Sequence, residues 1–444
     1  MGSCPHLLDM GGCMMKRYYE VMLVLCGLLC LPGCANNNRL SMEKSAAEHN
    51  EEKSFESVRN VPEGEAFSAP SDHFEKSTEA AAANEEKGYQ LSPPSAEEKE
   101  AQEDCLHIME LYADTYAKSD KGNTINTVLS EDILLTLQRQ ASAEGSPVEV
   151  NVSYTDLENY ENMDHFLKES EAGHAGECTM YTIHIDGSLG RSKFFFDGKD
   201  MYLAAANAVW NKQNEPVYSH MSYTRIEQWK YTEKGWFGYE LCAPKPPEVT
   251  EIVDSSCLIR VLPYEEELRQ LSRRCVFGIG YGMGNLLDAD WDEHHMEKLD
   301  FNSLFPLLYQ MQQKERFVYG DYRDGVPENE FEQMIMQYLP VDVKTLRNYA
   351  VYNAETGTYG CEPMGCFTYT PDFLGTSLPE VTAVRENQDG TVTLTVDAVC
   401  DMVICNDAVI TSELTVKFMK DGSFQYIKNK VIKDHISIIE SGKE

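Results

Sequence analysis

The chain has 444 residues, a formal net charge of −35 and 42% apolar residues. This apolar content is enough for about two globular domains of ordinary size. The negative charge argues against a nucleic-acid-binding protein, because phosphate contacts require clustered Lys and Arg side chains and the sequence has no such cluster.

The N-terminal region has the layout of an export signal. Lys16 and Arg17 are followed by an almost purely apolar stretch from Val21 to Leu31. This stretch is shorter than the roughly 20 apolar residues that a membrane-spanning helix needs, so the pattern predicts cleavage and not a transmembrane anchor. The residues upstream of the basic pair add nothing that an export signal needs. We therefore predict that translation starts at Met14 or Met15.

The apolar stretch ends in Leu31-Pro32-Gly33-Cys34, which resembles the lipobox of bacterial lipoproteins. In such proteins a small residue precedes a cysteine whose thiol receives a diacylglycerol before the signal is removed. The resemblance implies that residues 1–33 are a signal peptide and that Cys34 is the lipidation site. It also implies a lipoprotein anchored to the membrane at the outer, extracytoplasmic face of the cell. Pro32 departs from the usual pattern, and a free cysteine after an ordinary signal is the alternative.

Residues 34–101 are rich in Glu, Lys, Ser, Ala and Asn and poor in apolar residues. Such a segment cannot bury a core, so we predict a disordered, acidic, lipid-anchored linker that holds the domains away from the membrane. A helix from Glu75 to Glu86 is the alternative, because Ala80 to Ala83 are good helix formers.

Residues 102–247 are predicted to form a first α+β domain. Apolar side chains at helical spacing predict a helix over Cys105 to Tyr116, and Ser130 is the candidate N-cap of a second helix. Strands should follow, since apolar residues alternate from Tyr181 to Ile185. A hairpin is predicted from Ile226 to Leu241, with its turn at Lys234-Gly235.

A Pro-rich joint at residues 243–247 is predicted to separate the domains, so that a second α+β domain covers residues 248–444. Its predicted strand and helices are Cys257–Leu262, Glu265–Arg273, Leu304–Gln313, Pro327–Leu339 and Val343–Tyr352. Two Asp-Gly turns, Asp389-Gly390 and Asp421-Gly422, lie between segments with alternating apolar residues and predict two antiparallel hairpins.

The order of helices followed by hairpins in each domain indicates an α+β class with helices packed on an antiparallel sheet. This layout resembles that of the cystatin-like and nuclear-transport-factor-like cones. Phe331 to Leu339, the tetrapeptide at residues 346–349 and the two Asp-Gly hairpins also resemble uncharacterised lipoproteins of Gram-positive gut bacteria. That resemblance covers roughly the last 120 residues and implies no known activity.

The strongest candidate for a metal site is the acidic cluster of Asp288, Asp290, Asp292 and Glu293. The first three alternate like the first ligands of a calcium loop. The pattern then fails, because Glu293 occupies the position of the turn glycine and Leu299 that of the twelfth, bidentate carboxylate. We favour a solvated acidic loop over an irregular cation site. Added calcium should then stabilise the protein no more than sodium chloride of equal ionic strength does.

Other candidate ligands are weaker. His294 and His295 could join the acidic cluster around a transition metal, but adjacent residues seldom chelate the same ion. Cys361 and Cys366 could form a disulfide, or a zinc site together with Cys400 and Cys405, although a buried thiol is the simplest interpretation of Cys400. The alternating glycines from Gly278 to Gly284 do not fit a dinucleotide-binding fingerprint.

The sequence contains no serine-hydrolase elbow, zincin motif or phosphate-binding loop. Our leading hypothesis is a non-catalytic surface lipoprotein that binds a small ligand or an envelope protein, without a cofactor and without nucleic acid. A cell-envelope hydrolase that uses Asp and Glu residues is the first alternative. An assembly factor that contacts other exported proteins is the second.

Overall fold

Two large antiparallel-rich sheets, with helices packed against them, form most of the part of the chain that the structure describes. The computed structural model describes residues 86–122, 126–250, 255–281, 283–315, 317–361, 377–400 and 408–434. This architecture confirms the predicted α+β class. None of the helices within these ranges is both long and apolar enough to cross a membrane.

The first sheet has seven strands whose spatial order follows the chain. They are β1 Val148–Val150, β2 Gly176–Ile183, β3 Leu189–Phe196, β4 Met201–Trp210, β5 Pro216–Tyr231, β6 Trp236–Leu241 and β7 Ser256–Arg260. Strands β2 to β7 pair antiparallel. Strand β1 pairs parallel to β2 because helix α3, Glu161–Glu171, connects the two.

Helices cover both faces of this sheet. Helices α1, Glu97–Lys118, and α2, Glu131–Ala141, bury their apolar side chains against one face, around Ile183 and Leu189. Helix α3 packs on the opposite face, where Phe194 of β3 also contacts Phe237 of β6. The predicted cap of α2 is confirmed, since the Ile133 backbone N–H donates to Ser130 Oγ at 3.4 Å.

The second half packs its helices on a four-stranded antiparallel meander. The strands are β11 Leu378–Glu386, β12 Val392–Val399, β13 Ile410–Phe418 and β14 Phe424–Asp434. The helices are α4 Glu266–Cys275, α5 Phe301–Gln313, α6 Glu328–Tyr338 and α7 Val343–Tyr349. A small sheet contains β8 Val326–Pro327, β9 Tyr352–Asn353 and β10 Thr358–Tyr359. Gly390 and Gly422 have φ of 79° and 89°, which confirms the two predicted Asp-Gly turns.

Helix α5 starts earlier than predicted. The Asp300 side chain accepts a hydrogen bond from the Ser303 backbone N–H at 3.1 Å, so the cap lies before Phe301 and not before Leu304. Pro306 therefore lies inside the helix, where the sequence pattern had placed it in the first turn.

The first sheet extends past the Pro-rich joint at residues 243–247. Strand β7, which the sequence analysis assigned to the second domain, pairs with β6 from Trp236 to Glu240. The side chains of Ile259 and Val261 join the core of the first sheet. A division into domains at this joint stays a prediction, but the boundary of the sheet lies beyond it.

The predicted linker also overlaps the folded part. The Arg225 backbone N–H donates to Gly88 O at 2.8 Å, and the Leu91 backbone N–H donates to Tyr223 O at 3.1 Å, so residues 88–91 lie along β5. Tyr89 is 6% exposed and its hydroxyl donates to Glu248 at 2.6 Å. Residues 86–101 therefore belong to the fold, and the linker prediction is wrong for them. Residues 34–85 lie outside the described ranges, as does the alternative helix before Glu86.

Candidate functional site

Two carboxylates are buried side by side where the two sheets meet. Glu380 of β11 and Asp397 of β12 are cross-strand partners, 2% and 1% exposed. Arg260 of β7 forms an ion pair with Glu380, and Lys234 from the β5–β6 turn forms one with Asp397. Trp236 Nε1 also donates to Glu380 at 3.2 Å. Burial raises the pKa of Glu380, although Arg260 opposes this. The pair joins the two halves and is closed to a substrate.

A second buried charge cluster fixes α1 on the first sheet. Arg191 of β3 is fully buried, and its nitrogens lie 2.8 Å from Glu97 and 2.9 Å from Asp104. The adjacent Lys193 lies 2.8 Å from Glu100 and 3.2 Å from Glu97. Each of these carboxylates of α1 contacts at least one cation. The cluster therefore fixes the position of the helix on the sheet.

A third group of charges lies where α6 begins. Arg347 of α7 contacts Glu332 and Glu328, each at 2.7 Å, and both glutamates project from the same side of α6. Tyr359 donates to Glu332 at 2.9 Å and Tyr352 to Glu328 at 2.5 Å. These carboxylates are likewise occupied by donors from neighbouring elements, so the group joins α6, α7 and the small sheet.

An open cleft of about 610 Å³ lies between α3, the loop before β1 and the start of β2. Its titratable lining is Glu144, Glu169, Glu177, His165, His174 and Cys178. His174 Nδ1 lies 2.7 Å from Glu169 Oε2. The lining has three glutamates and no Lys or Arg, so the cleft is negatively charged at neutral pH.

The cleft brings a cysteine and histidines together, as a Cys-His enzyme would require. However, Cys178 is 8% exposed, and burial raises the pKa of its thiol to about 12. A thiol with this pKa stays protonated at neutral pH and is a weak nucleophile. The cleft is therefore better suited to binding than to thiol catalysis.

One wall of the cleft is an unpaired strand edge. Strand β1 covers β2 only from Tyr181 to Ile183, while β2 pairs with β3 along its whole length from Gly176. Residues 176–180 therefore have β3 on one side and the cleft on the other. Gly176 and Glu177 are exposed and Thr179 is half-buried, so the edge is accessible.

The predicted acidic cluster lies along the outer edge of β14. Asp290 Oδ1 accepts a hydrogen bond from the Val431 backbone N–H at 2.8 Å. Asp292 Oδ1 accepts one from the His294 backbone N–H at 2.8 Å and lies 2.9 Å from His295 Nδ1. The hydrogen bond from His294 is the main cause of a lowered pKa of Asp292.

Glu293 lies 3.4 Å from the His294 ring, and Asp288 is half-buried. Within the described ranges, no three His, Cys, Asp or Glu side chains are placed to share a metal ion. Asp290 and Glu293 are exposed and Asp292 is half-buried, while the backbone of the loop pairs with the sheet. Trp291, 3% exposed, exchanges two backbone hydrogen bonds with Asn429 of β14. A cation at this loop, like the predicted response to calcium, stays untested.

Some of the remaining candidate site residues lie within the described ranges, and others lie outside them. Cys34, Cys366 and Cys405 lie outside the described residues, and with them the lipid site and the disulfide and zinc predictions. Cys400 is buried at 2%, as expected of a thiol in the sheet core. Gly278 and Gly284 both lie in turns and adopt positive φ.

Sequence reasoning missed the cleft and the open edge. The three residues of β1 are too few for a visible alternation, and α3 has only Met163, Phe166 and Leu167 as large buried apolar residues. A signal did exist for the Arg191 cluster. Glu97, Glu100 and Asp104 follow each other at three- and four-residue steps, which places them on one face of a helix.

A model of one protein family matches residues 98–441, which includes both sheets and the cleft. The chain belongs to DUF6070, a family of unknown function. Membership fits the predicted kinship with uncharacterised proteins and assigns no activity to a residue. Comparison with curated proteins gives no match, and comparison with solved structures gives none either.

Proposed function

We propose that this DUF6070 protein is a lipid-anchored binding protein at the outer face of the cell membrane, without catalytic activity. The observation that carries the binding function is the cleft beside α3, which combines an accessible strand edge with a negatively charged lining. The buried carboxylate clusters favour binding over the hydrolase alternative, because each is occupied by Arg, Lys or hydroxyl donors.

The proposed anchor is supported by the sequence. Lys16, Arg17 and the apolar stretch to Leu31 have the layout of an export signal, and Cys34 follows at the lipobox position. A single acyl chain binds a membrane only marginally, so a stable anchor requires more than one chain on the cysteine. The proposed partners are the membrane, through lipid on Cys34, and an envelope protein or small ligand in the cleft.

Changing Cys34 to Ala tests the anchor, because only this thiol occupies the lipobox position. We expect Cys34→Ala to stay unprocessed or to leave the membrane fraction, whereas the unaltered chain should be processed and partition into detergent. Cys30→Ala is the matched control, since it removes a thiol from the same signal without touching the lipobox, and it should behave like the unaltered chain. Processing of Cys34→Ala with unchanged detergent partitioning would overturn the anchor.

A further inference from the structure

The open edge of β2 presents main-chain donors and acceptors to the cleft. Where β1 is present, the Tyr181 backbone N–H donates to Pro147 O at 2.9 Å, and the Asn151 backbone N–H donates to Ile183 O at 3.1 Å. The odd-numbered residues of β2 thus direct their peptide groups away from β3. Because alternate residues of an antiparallel strand face the same neighbour, Glu177 and Thr179 direct theirs into the cleft.

The cleft continues the line of β1. Pro147 lines the cleft immediately before Val148, where β1 begins, so β1 occupies only one end of the edge that β2 offers. Helix α3 forms the other wall through His165, Phe166 and Glu169. An unpaired edge beside a helix is the geometry in which extended peptides add to a sheet, with main-chain hydrogen bonds providing affinity.

The negative charge of the cleft indicates which kind of peptide segment it can bind. Glu144, Glu169 and Glu177 line it, and their side chains are 53%, 47% and 60% exposed. Each contacts one basic side chain, His107, His174 or Lys193, but unlike the buried carboxylates of the core it remains accessible to a partner. The chain's own segment 35–85 has eleven acidic and five basic side chains, so like charges oppose its binding. A second copy paired edge to edge would bring the acidic linings of two clefts together. Complementarity therefore favours a cationic partner.

We propose that an extended segment of a second protein, bearing Lys or Arg side chains, adds to β2 as a strand beside α3. Its main chain pairs with Glu177 and Thr179, and its basic side chains lie near the three glutamates of the cleft. This inference rests on the proposed binding function and names the class of partner for the same site.

The test uses the full chain and short labelled peptides in which Val alternates with Lys or with Glu. The Lys peptide should bind at least about tenfold more tightly than the Glu peptide, and high salt should weaken its binding. A Lys peptide that is N-methylated at every residue should bind about tenfold or more weakly, because neither of its edges can donate a main-chain hydrogen bond to β2. Binding of the unmethylated Lys peptide should slow hydrogen exchange of the Thr179 amide.

Thr179→Pro removes the outward N–H, and an edge position is where a strand tolerates proline. We expect this variant to bind the Lys peptide at least about tenfold more weakly than the unaltered chain does. Thr179→Val retains the N–H and should bind the Lys peptide as tightly as the unaltered chain. If Thr179→Pro does not fold, the N-methylated peptide still tests whether the partner adds to β2 as a strand. Tight binding of that peptide, or preference for the Glu peptide or for a peptide from segment 35–85, would overturn strand addition.

The two proposals fail separately. Lys-peptide binding that survives both Thr179→Pro and N-methylation would retain a binding function but overturn strand addition at β2. Absence of binding by the Lys peptide would overturn the cationic partner and strand addition, whereas the anchor is decided by the behaviour of Cys34→Ala in membrane fractionation.

Discussion

Glu149 is a carboxyl group on β1 whose ionisation opposes folding. Thr182 Oγ1 donates to it at 2.7 Å, but burial dominates and raises its pKa from 4.5 to about 7. The folded state therefore retains a proton at pH values where the unfolded chain has lost it. The contribution of Glu149 to stability should fall as the pH rises from about 4.5 to about 7, because this group binds fewer protons in the unfolded state in that window.

We predict that Glu149→Gln raises the melting temperature at pH 8, with a gain on the order of 2 kcal/mol in the free energy of unfolding. Gln keeps an oxygen for the Thr182 hydroxyl and carries no charge. The gain should disappear below about pH 4.5, where both states of the unaltered protein are protonated. Thermal melts of Glu149→Gln and of the unaltered protein from pH 4 to pH 8 measure this gain. If the melting temperatures of the two proteins differ by the same amount at every pH, the carboxyl of Glu149 does not have the raised pKa that burial implies.

The Arg191 cluster shows how far a sequence can specify a site. The acidic side chains of α1 lie on one face, and Arg191 and Lys193 alternate along β3, so each half of the cluster has a regular spacing. That α1 lies across β3 follows only from the packing of the core. The sequence could therefore provide the two charged surfaces, but not their contact.

At the scale of elements, the sequence predicted those with many regularly spaced apolar residues. Helix α1 and the hairpins at Gly390 and Gly422 agree with the structure for this reason. Strand β1 has three residues, and strands β8 to β10 have two each. Such short strands are fixed by their partners and not by local pattern, so the open edge of β2 that β1 leaves could not be predicted.

The loop from Leu287 to Trp291 behaves as an added element on β14. Asn429, 3% exposed, donates from Nδ2 to Leu287 O at 3.1 Å and to Ala289 O at 2.9 Å. Its backbone also pairs with Trp291. One buried side chain thus satisfies two carbonyls of the loop and holds it against the edge strand, which would otherwise expose unpaired groups.

We predict that Asn429→Ala lowers the free energy of unfolding by about 1 to 3 kcal/mol, because two carbonyl groups lose their donor. Hydrogen exchange of the Trp291 and Val431 amides should accelerate, as the loop opens locally. Asp290→Asn is the control. It keeps an oxygen for the Val431 N–H and should leave both amides protected. Acceleration in Asp290→Asn without acceleration in Asn429→Ala would show that the charge of Asp290, and not Asn429, holds the loop.

At the scale of the whole molecule, the second half is tied to the first by buried polar contacts. Besides the ion pairs of Glu380 and Asp397, the buried Tyr154 hydroxyl donates to Pro379 O of β11. At the surface, Arg273 of α4 lies 3.1 Å from Glu131 of α2. Both halves contribute to each contact. The free energy of unfolding of one half should therefore depend on residues of the other, despite the Pro-rich joint between them.

The ion pair of Arg260 and Glu380 allows a direct test of this coupling. The Glu380 side chain is 3% exposed and the Arg260 side chain is 14% exposed. Removing the Arg260 cation therefore leaves the buried Glu380 carboxylate without its main partner. We predict that Arg260→Met lowers the free energy of unfolding by about 3 to 5 kcal/mol. The double variant Arg260→Met with Glu380→Met should recover much of this loss, because it removes the buried Glu380 carboxylate as well as the Arg260 cation.

Chemical denaturation of the two single variants and the double variant measures the coupling energy. Lys199→Met is the control for the loss of a cation, since Lys199 is 85% exposed and pairs with Asp200 at the surface. Its effect should be small, because solvent screens an exposed ion pair. If Arg260→Met is no worse than Lys199→Met, or if the double variant equals the sum of the single variants, the pair does not couple the halves. A separate early transition in Arg260→Met alone would instead show that the two halves can unfold independently once this contact is lost.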